Sequence, residues 1–104
     1  KDKIRVAYAL DEGQTPSNYK EVFTEDISEH GALINTYEEL KVDQIVLLKL
    51  EFIYDSIPVI LKAKVMHVME SDRYYKTGVK FMMMDDFQKV RVVRYTEMIK
   101  KDHH

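Results

Sequence analysis

The sequence predicts an all-β core with one helix: a small antiparallel barrel or strongly curled sheet of six strands, followed by a C-terminal α-helix. Three observations predict it. Apolar residues recur at every second position in successive short segments, the period of a half-buried strand. Clusters of turn formers separate those segments, and short turns favour antiparallel neighbours. After Met84 the alternation stops, and a stretch without Gly or Pro follows two aspartates. Closing the sheet into a barrel would remove its exposed edges.

The elements follow in order. In IRVAYAL (4–10), Ile4, Val6, Tyr8 and Leu10 alternate with Arg5, Ala7 and Ala9. DEGQTPSN (11–18) gathers Gly13, Pro16, Ser17 and Asn18 into a long hairpin loop, and Tyr19 to about Glu25 is the second strand. ALINT (32–36) is a short third strand, and YEELKVD (37–43) is a charged, solvated connection. QIVLLKLEF (44–52) is β-rich with a two-residue beat in its second half, and YDS after it is a turn. PVILKAKVMHVME (58–70) is the longest alternating run and sets Val59, Leu61, Ala63, Val65, His67 and Met69 on one face. Beyond the turn SDRY, YKTGVKFM (75–82) completes the β-part.

FQKVRVVRYTEMIKK (87–101) is the helix, with Asp85 or Asp86 as N-cap. Phe87, Val92, Tyr95, Met98 and Ile99 fall on one broad helical face, with Val90 and Val93 outside it. Acidic residues at its start and Lys100–Lys101 at its end complement the helix dipole. The valines would also suit a strand, but the two-residue beat is missing.

A length of 104 residues suits one domain, assigned to residues 1–102. The start at Lys1 without a methionine reads as trimmed, and His103–His104 read as the stub of a purification tag. The absence of cysteine excludes disulfides, thiolate metal sites and a cysteine nucleophile, and it fits a reducing compartment. The longest apolar runs are only a few residues, too short for a membrane-spanning helix. A net charge of -2 lacks the basic excess of a nucleic-acid binder.

The segment with the most chemistry is DISEHG (26–31). A spacing of two along a strand puts the Asp26 and Ser28 side chains on one face. A carboxylate accepts two parallel donors, such as the N1–H and exocyclic N2–H of a guanine. The Ser28 hydroxyl can bond a phosphate or the local backbone, and Gly31 permits a positive φ and close backbone approach. The same residues also suit an Asx- or Ser-turn at a strand junction. Residue types alone leave both readings open.

D-I-S-E-H-G resembles the D/N-x-S-x-x-G motif of the PilZ family, and the rest of the chain follows in that family's order. An alternating strand precedes the motif and apolar ALI follows it. A long strand around KAKVMHV leads to G-V-K-F (78–81), similar to the family's Gly-x-x-Phe element, and an acidic pair opens the terminal helix. The resemblance spans nearly the whole chain. It implies a six-stranded antiparallel PilZ-like β-barrel with a C-terminal α-helix in a bacterial, cytoplasmic, non-enzymatic regulatory domain. Such a domain binds the second messenger cyclic di-GMP and relays the signal to a protein partner or neighbouring domain. On that reading Asp26 accepts guanine N–H groups, Ser28 contacts the ligand or fixes the turn, and Gly31 permits the backbone path. The alternative is an interaction adaptor of the same fold that binds no nucleotide.

One departure bears on the ligand. Nucleotide-binding members usually carry R-x-x-x-R just before the first strand, where the arginines grip phosphates and the guanine O6/N7 edge in a geometry lysine does not reproduce. Here only Lys1 and Arg5 have the spacing, and Arg5 falls inside the alternating strand. Arg5 is therefore expected to face solvent, where it could reach a phosphate. Residues 1–104 are expected to bind the nucleotide weakly or not at all unless an arginine motif lies upstream.

Other candidates carry less. Asp26, Ser28 and His30 have the residue types of a hydrolase triad, but consecutive spacing seldom builds one, and no catalytic residue is assigned. His30 and His67 lack a defined third ligand, so no metal site is assigned. Beyond cyclic di-GMP as a suspected ligand, no cofactor is expected. Met82, Met83 and Met84 read as adaptable core packing, with a soft partner surface as the sharper alternative. Seven tyrosines raise an OB-type strand binder, which the balanced charge argues against.

Overall fold

A computed structural model describes residues 4–10, 19–52, 56–82 and 84–101. The loop 11–18, Lys1, most of the YDS turn, Met83 and His103–His104 lie outside the described residues. The strands are β1 (Ile4–Leu10), β2 (Lys20–Ile27), β3 (Gly31–Thr36), β4 (Ile45–Phe52), β5 (Val59–Glu70) and β6 (Tyr75–Met82). Among the described residues a single helix, α1 (Asp86–Lys101), follows them. The strands close into a barrel in the order β1-β2-β3-β6-β5-β4, with every neighbouring pair antiparallel. The all-β barrel with a terminal helix read from the sequence is therefore the fold of the chain.

Alternation puts one side-chain set inside. Val6 and Tyr8, Ile34, Val46, Leu48 and Leu50, Val59, Leu61, Ala63 and Val65, and Val79 are buried together. Fully burying one such side chain stabilises by about 1.5–3 kcal/mol. Two inward hydroxyls, Thr36 and Thr77, bond each other at 2.9 Å, which satisfies both in the buried interior.

The alternation of β5 does not run unbroken, as its sequence suggests. The register shifts between Val65 and His67. A bulge of this kind inserts one residue, and every side chain beyond it changes face. Val59, Leu61, Ala63 and Val65 point inward as expected, but His67 and Met69 are exposed, and Val68 packs against the core instead. A second shift, between Thr24 and Asp26, lies in β2, which runs two residues beyond the expected Glu25.

The 37–43 connection is more than a solvated loop. Leu40 enters the core. Glu38 accepts hydrogen bonds from Tyr8 Oη at 2.8 Å and from Lys20 Nζ at 3.1 Å. Asp43 takes a left-handed backbone, φ 74°, which its short polar side chain tolerates. Its amide donates to Val65 O at 2.8 Å and Gln44 O accepts from the Val65 amide at 2.9 Å, tying this corner to the bulge.

At the helix start, Asp85 Oδ1 accepts from the Gln88 amide at 2.7 Å, and Gln88 Oε1 accepts from the Asp85 amide at 3.2 Å. This is a capping box with Asp85 as N-cap. Gln88 Nε2 also donates to Ile60 O at 2.8 Å, and Arg91 donates to Ile57 O, so the first turns are anchored on the approach to β5. Val92 is buried, and Tyr95 stacks on Phe52 with ring centroids 5.1 Å apart. Thr96 is buried as well, its hydroxyl bonded to Val92 O at 2.8 Å. Phe87, assigned to the packed face, is exposed, its ring beneath the Arg91 guanidinium. Five residues rotate a helix by about 140° relative to Val92, outside the stripe that meets the barrel. Val90 is exposed, as expected.

Candidate ligand site on the outer face of the barrel

The β2–β3 junction is a tight turn. The Ser28 amide donates to Gly31 O at 2.9 Å, leaving Glu29 and His30 at the tip. The Ser28 hydroxyl accepts from the His30 amide at 3.2 Å and donates to Gly31 O at 3.4 Å. Ser28 thus makes the Ser-turn that the sequence allows. The His30 carbonyl accepts from the Phe81 amide at 2.8 Å, fastening the tip to β6. The Ser28 hydroxyl faces backbone rather than an imidazole, while His30 Nε2 lies 3.6 Å from Glu29 Oε2. Among the described residues, no group of three or more His, Asp or Glu could hold a metal ion.

Gly31 is required by close approach. A Cβ there would lie 2.2 Å from the Val79 carbonyl oxygen, and its φ is not in the left-handed range that the sequence reading allowed for. Only a residue without a side chain lets β3 and β6 pair here.

Ile27 is buried and Asp26 before it is exposed, so the carboxylate stands on the outer surface. The sheet register builds a row from that point. Asp26 lies opposite Leu33, Leu33 opposite Gly78, and Gly78 opposite His67. Four strands at about 4.8 Å spacing put the two ends of the row about 14 Å apart. The His67 ring folds over Gly78, where an added Cβ would fall 2.3 Å from Nε2. One step towards the turn, Gly31 lies opposite Lys80, and Lys80 opposite Lys64. The result is a strip of outer surface with a carboxylate at one side, two lysines and an imidazole at the other, and two glycines in its floor.

Asp26, Ser28 and Gly31 are thus brought together, as their spacing suggested. Arg5 is not part of the group. It is exposed on β1, where its Nε lies 3.6 Å from Glu21 Oε2, and its β4 neighbour is Glu51. Glu21 precedes Asp26 by five residues, about 16 Å along a strand. Lys64 and Lys80 escaped the sequence reading, which weighed His67 only as a histidine on the apolar face of its strand or a metal ligand. Strand parity could place each lysine outside, but only the β3–β6–β5 register sets them beside the turn.

A second exposed cluster lies elsewhere: Tyr74 meets Phe23 edge-on at 6.4 Å and Tyr37 at 5.9 Å. No helix among the described residues is long and apolar enough to cross a membrane.

Comparison with known proteins gives a family and a likeness of fold. The family model for the PilZ domain matches residues 2–98. The structure of Bacillus subtilis Inhibitor of motility (MotI/DgrA) superposes with a TM-score of 0.75 at 9% identity, covering 97% of this chain and 48% of that one. The chain therefore spans about half the length of that protein, and at this identity the likeness is one of fold. No curated protein matches.

Proposed function

The chain belongs to the PilZ domain family, and we propose that it is a regulatory domain that binds cyclic di-GMP on the outer strip and relays binding to a protein partner or neighbouring domain. The observation that carries this reading is the exposed Asp26 carboxylate, held at the edge of a glycine-floored surface by a turn whose own polar groups are already bonded. Asp26 accepts the paired N–H donors of a guanine. Ser28 acts chiefly by fixing the turn, and Gly31 lets the chain pass β6. Arg5 is at most an outlying phosphate contact, because Glu21 and Glu51 flank it.

That last feature favours the second reading, an adaptor of the same fold that recognises a protein and no nucleotide. Calorimetric titration of the 104-residue chain with cyclic di-GMP separates the two. Saturable heat in the wild type, reduced by Asp26→Ala, supports the receptor. No heat at ligand concentrations up to the millimolar range, from this chain or from one extended upstream by an R-x-x-x-R motif, removes it and leaves the adaptor.

A further inference from the structure

Lys64 and Lys80 are direct cross-strand partners on the outer face. Like charges in that position face each other at about 5 Å between Cβ atoms and destabilise the pair. Lys80 is exposed and, among the described residues, makes no ion pair; Lys64 has one, with Asp43 at 3.5 Å, on the side away from Lys80. An unfavourable juxtaposition in a chain of net charge -2 is a local concentration of positive charge on an otherwise acidic protein. Its position adds a second fact. Lys80 is also the cross-strand partner of Gly31, so it stands beside the motif turn, with Lys64 one strand further on.

We propose that Lys64 and Lys80 form an anion subsite that takes a phosphodiester group of the nucleotide, doing from β5 and β6 what an arginine motif does elsewhere in the family. This inference rests on the nucleotide reading above. From Asp26 the register crosses β3 past Leu33 and Gly31 to Lys80 on β6 and Lys64 on β5, so a guanine held at Asp26 directs its phosphodiester towards the lysines. His67, at the far end of the row, offers a ring face or an N–H to the same ligand. Lysine suits this role as a mobile point charge, without the bidentate geometry of arginine. Binding an anion between the two ammonium groups also relieves their mutual repulsion.

The test is titration of cyclic di-GMP into the wild type, Lys80→Gln, Lys64→Gln and Asp26→Ala, at low and high salt, with Lys89→Gln on the helix as a control. Lys80→Gln should weaken binding about tenfold and flatten its salt dependence, with the folded state at least as stable as in the wild type. Lys89→Gln should leave affinity unchanged. Unchanged affinity in Lys80→Gln and Lys64→Gln, alongside loss of binding in Asp26→Ala, overturns the anion subsite and leaves the receptor reading intact. Cyclic di-AMP that binds through Lys80 without needing Asp26 keeps the subsite and overturns the guanine reading. Absence of binding of either nucleotide to the wild type overturns both.

Discussion

The Tyr8 hydroxyl, carried by a ring at the centre of the barrel, donates to Glu38 Oε1 at 2.8 Å, and Lys20 Nζ reaches the same oxygen at 3.1 Å. This single carboxylate joins β1, β2 and the 37–43 connection. The Tyr8 hydrogen bond, followed by Lys20, holds the Glu38 carboxyl below its ordinary value of 4.5. Burial, then the Glu38 carboxylate, pushes the Tyr8 phenol above the usual tyrosine range. A carboxyl with a depressed folded-state pKa adds stability above its unfolded pKa and loses it as the pH falls through the folded value. Glu38 is partly exposed, so the contribution is modest. Tyr8→Phe should cost about 1 kcal/mol at pH 7. In urea denaturation its deficit relative to the wild type should shrink as the pH is lowered below about 4.5, since a protonated Glu38 no longer accepts a charge-assisted bond. A deficit independent of pH would mean that the phenol contributes through packing alone.

Gly31 and Gly78 both lie under the strip, yet they should respond differently to a methyl group. At Gly31 the Cβ meets the Val79 carbonyl oxygen, a backbone atom within the β3–β6 ladder. Gly31→Ala should therefore destabilise by about 1–3 kcal/mol, with no rescue from any side-chain change nearby. At Gly78 the obstacle is the His67 ring, an exposed side chain that can rotate away. Gly78→Ala should cost less than about 1 kcal/mol, and His67→Ala should remove even that. Equal losses for the two glycine variants in thermal melts would contradict the geometry.

How much of this was legible in the sequence depends on the range of the interaction. Tyr8 and Val6 could be placed inside from β1 alone, because strand parity is a local property. The bulge in β5 could not. VMHVM reads as an unbroken beat of two, and only the pairing with β6 shows that His67 and Met69 have crossed to the outside. Leu40 was hidden because Leu40 and Val42 stand in one charged segment with no periodicity to say which is buried, and only Leu40 is. At the candidate site, Asp26, Ser28 and Gly31 fall within one hexapeptide and could be read as a motif. Gly78, His67, Lys64 and Lys80 join them through the order of strands around the barrel, which no spacing in the chain encodes.

Asp26 and Ser28 should separate binding from stability. Asp26 is exposed, and its side chain is outside the turn's hydrogen bonds. Asp26→Ala should leave the melting curve within about 0.5 kcal/mol of the wild type and, on the receptor reading, weaken cyclic di-GMP by about tenfold or more. Ser28→Ala removes the acceptor of the His30 amide and should cost about 0.5–1.5 kcal/mol in stability, with a smaller loss of affinity. Wild-type affinity in Asp26→Ala would reduce the hexapeptide to a structural turn.

The helix provides the last contrast, between a cap, a packed residue and an exposed ring of similar sequence prominence. Asp85→Ala removes the acceptor of the Gln88 amide and should cost about 1 kcal/mol. Val92 is fully buried against the barrel, so Val92→Ala opens a cavity and should cost roughly 1–3 kcal/mol. Phe87, which the sequence placed on the same face, is exposed, with the Arg91 guanidinium over its ring at 5.6 Å. Truncating it removes at most that cation–π contact, about 0.5–1 kcal/mol at an exposed site. Chemical denaturation of the three variants should therefore rank Val92→Ala below Asp85→Ala, with Phe87→Ala nearest the wild type. A loss at Phe87 as large as that at Val92 would mean that the helix turns its first face to the barrel after all, and that the broader stripe read from the sequence is the correct one.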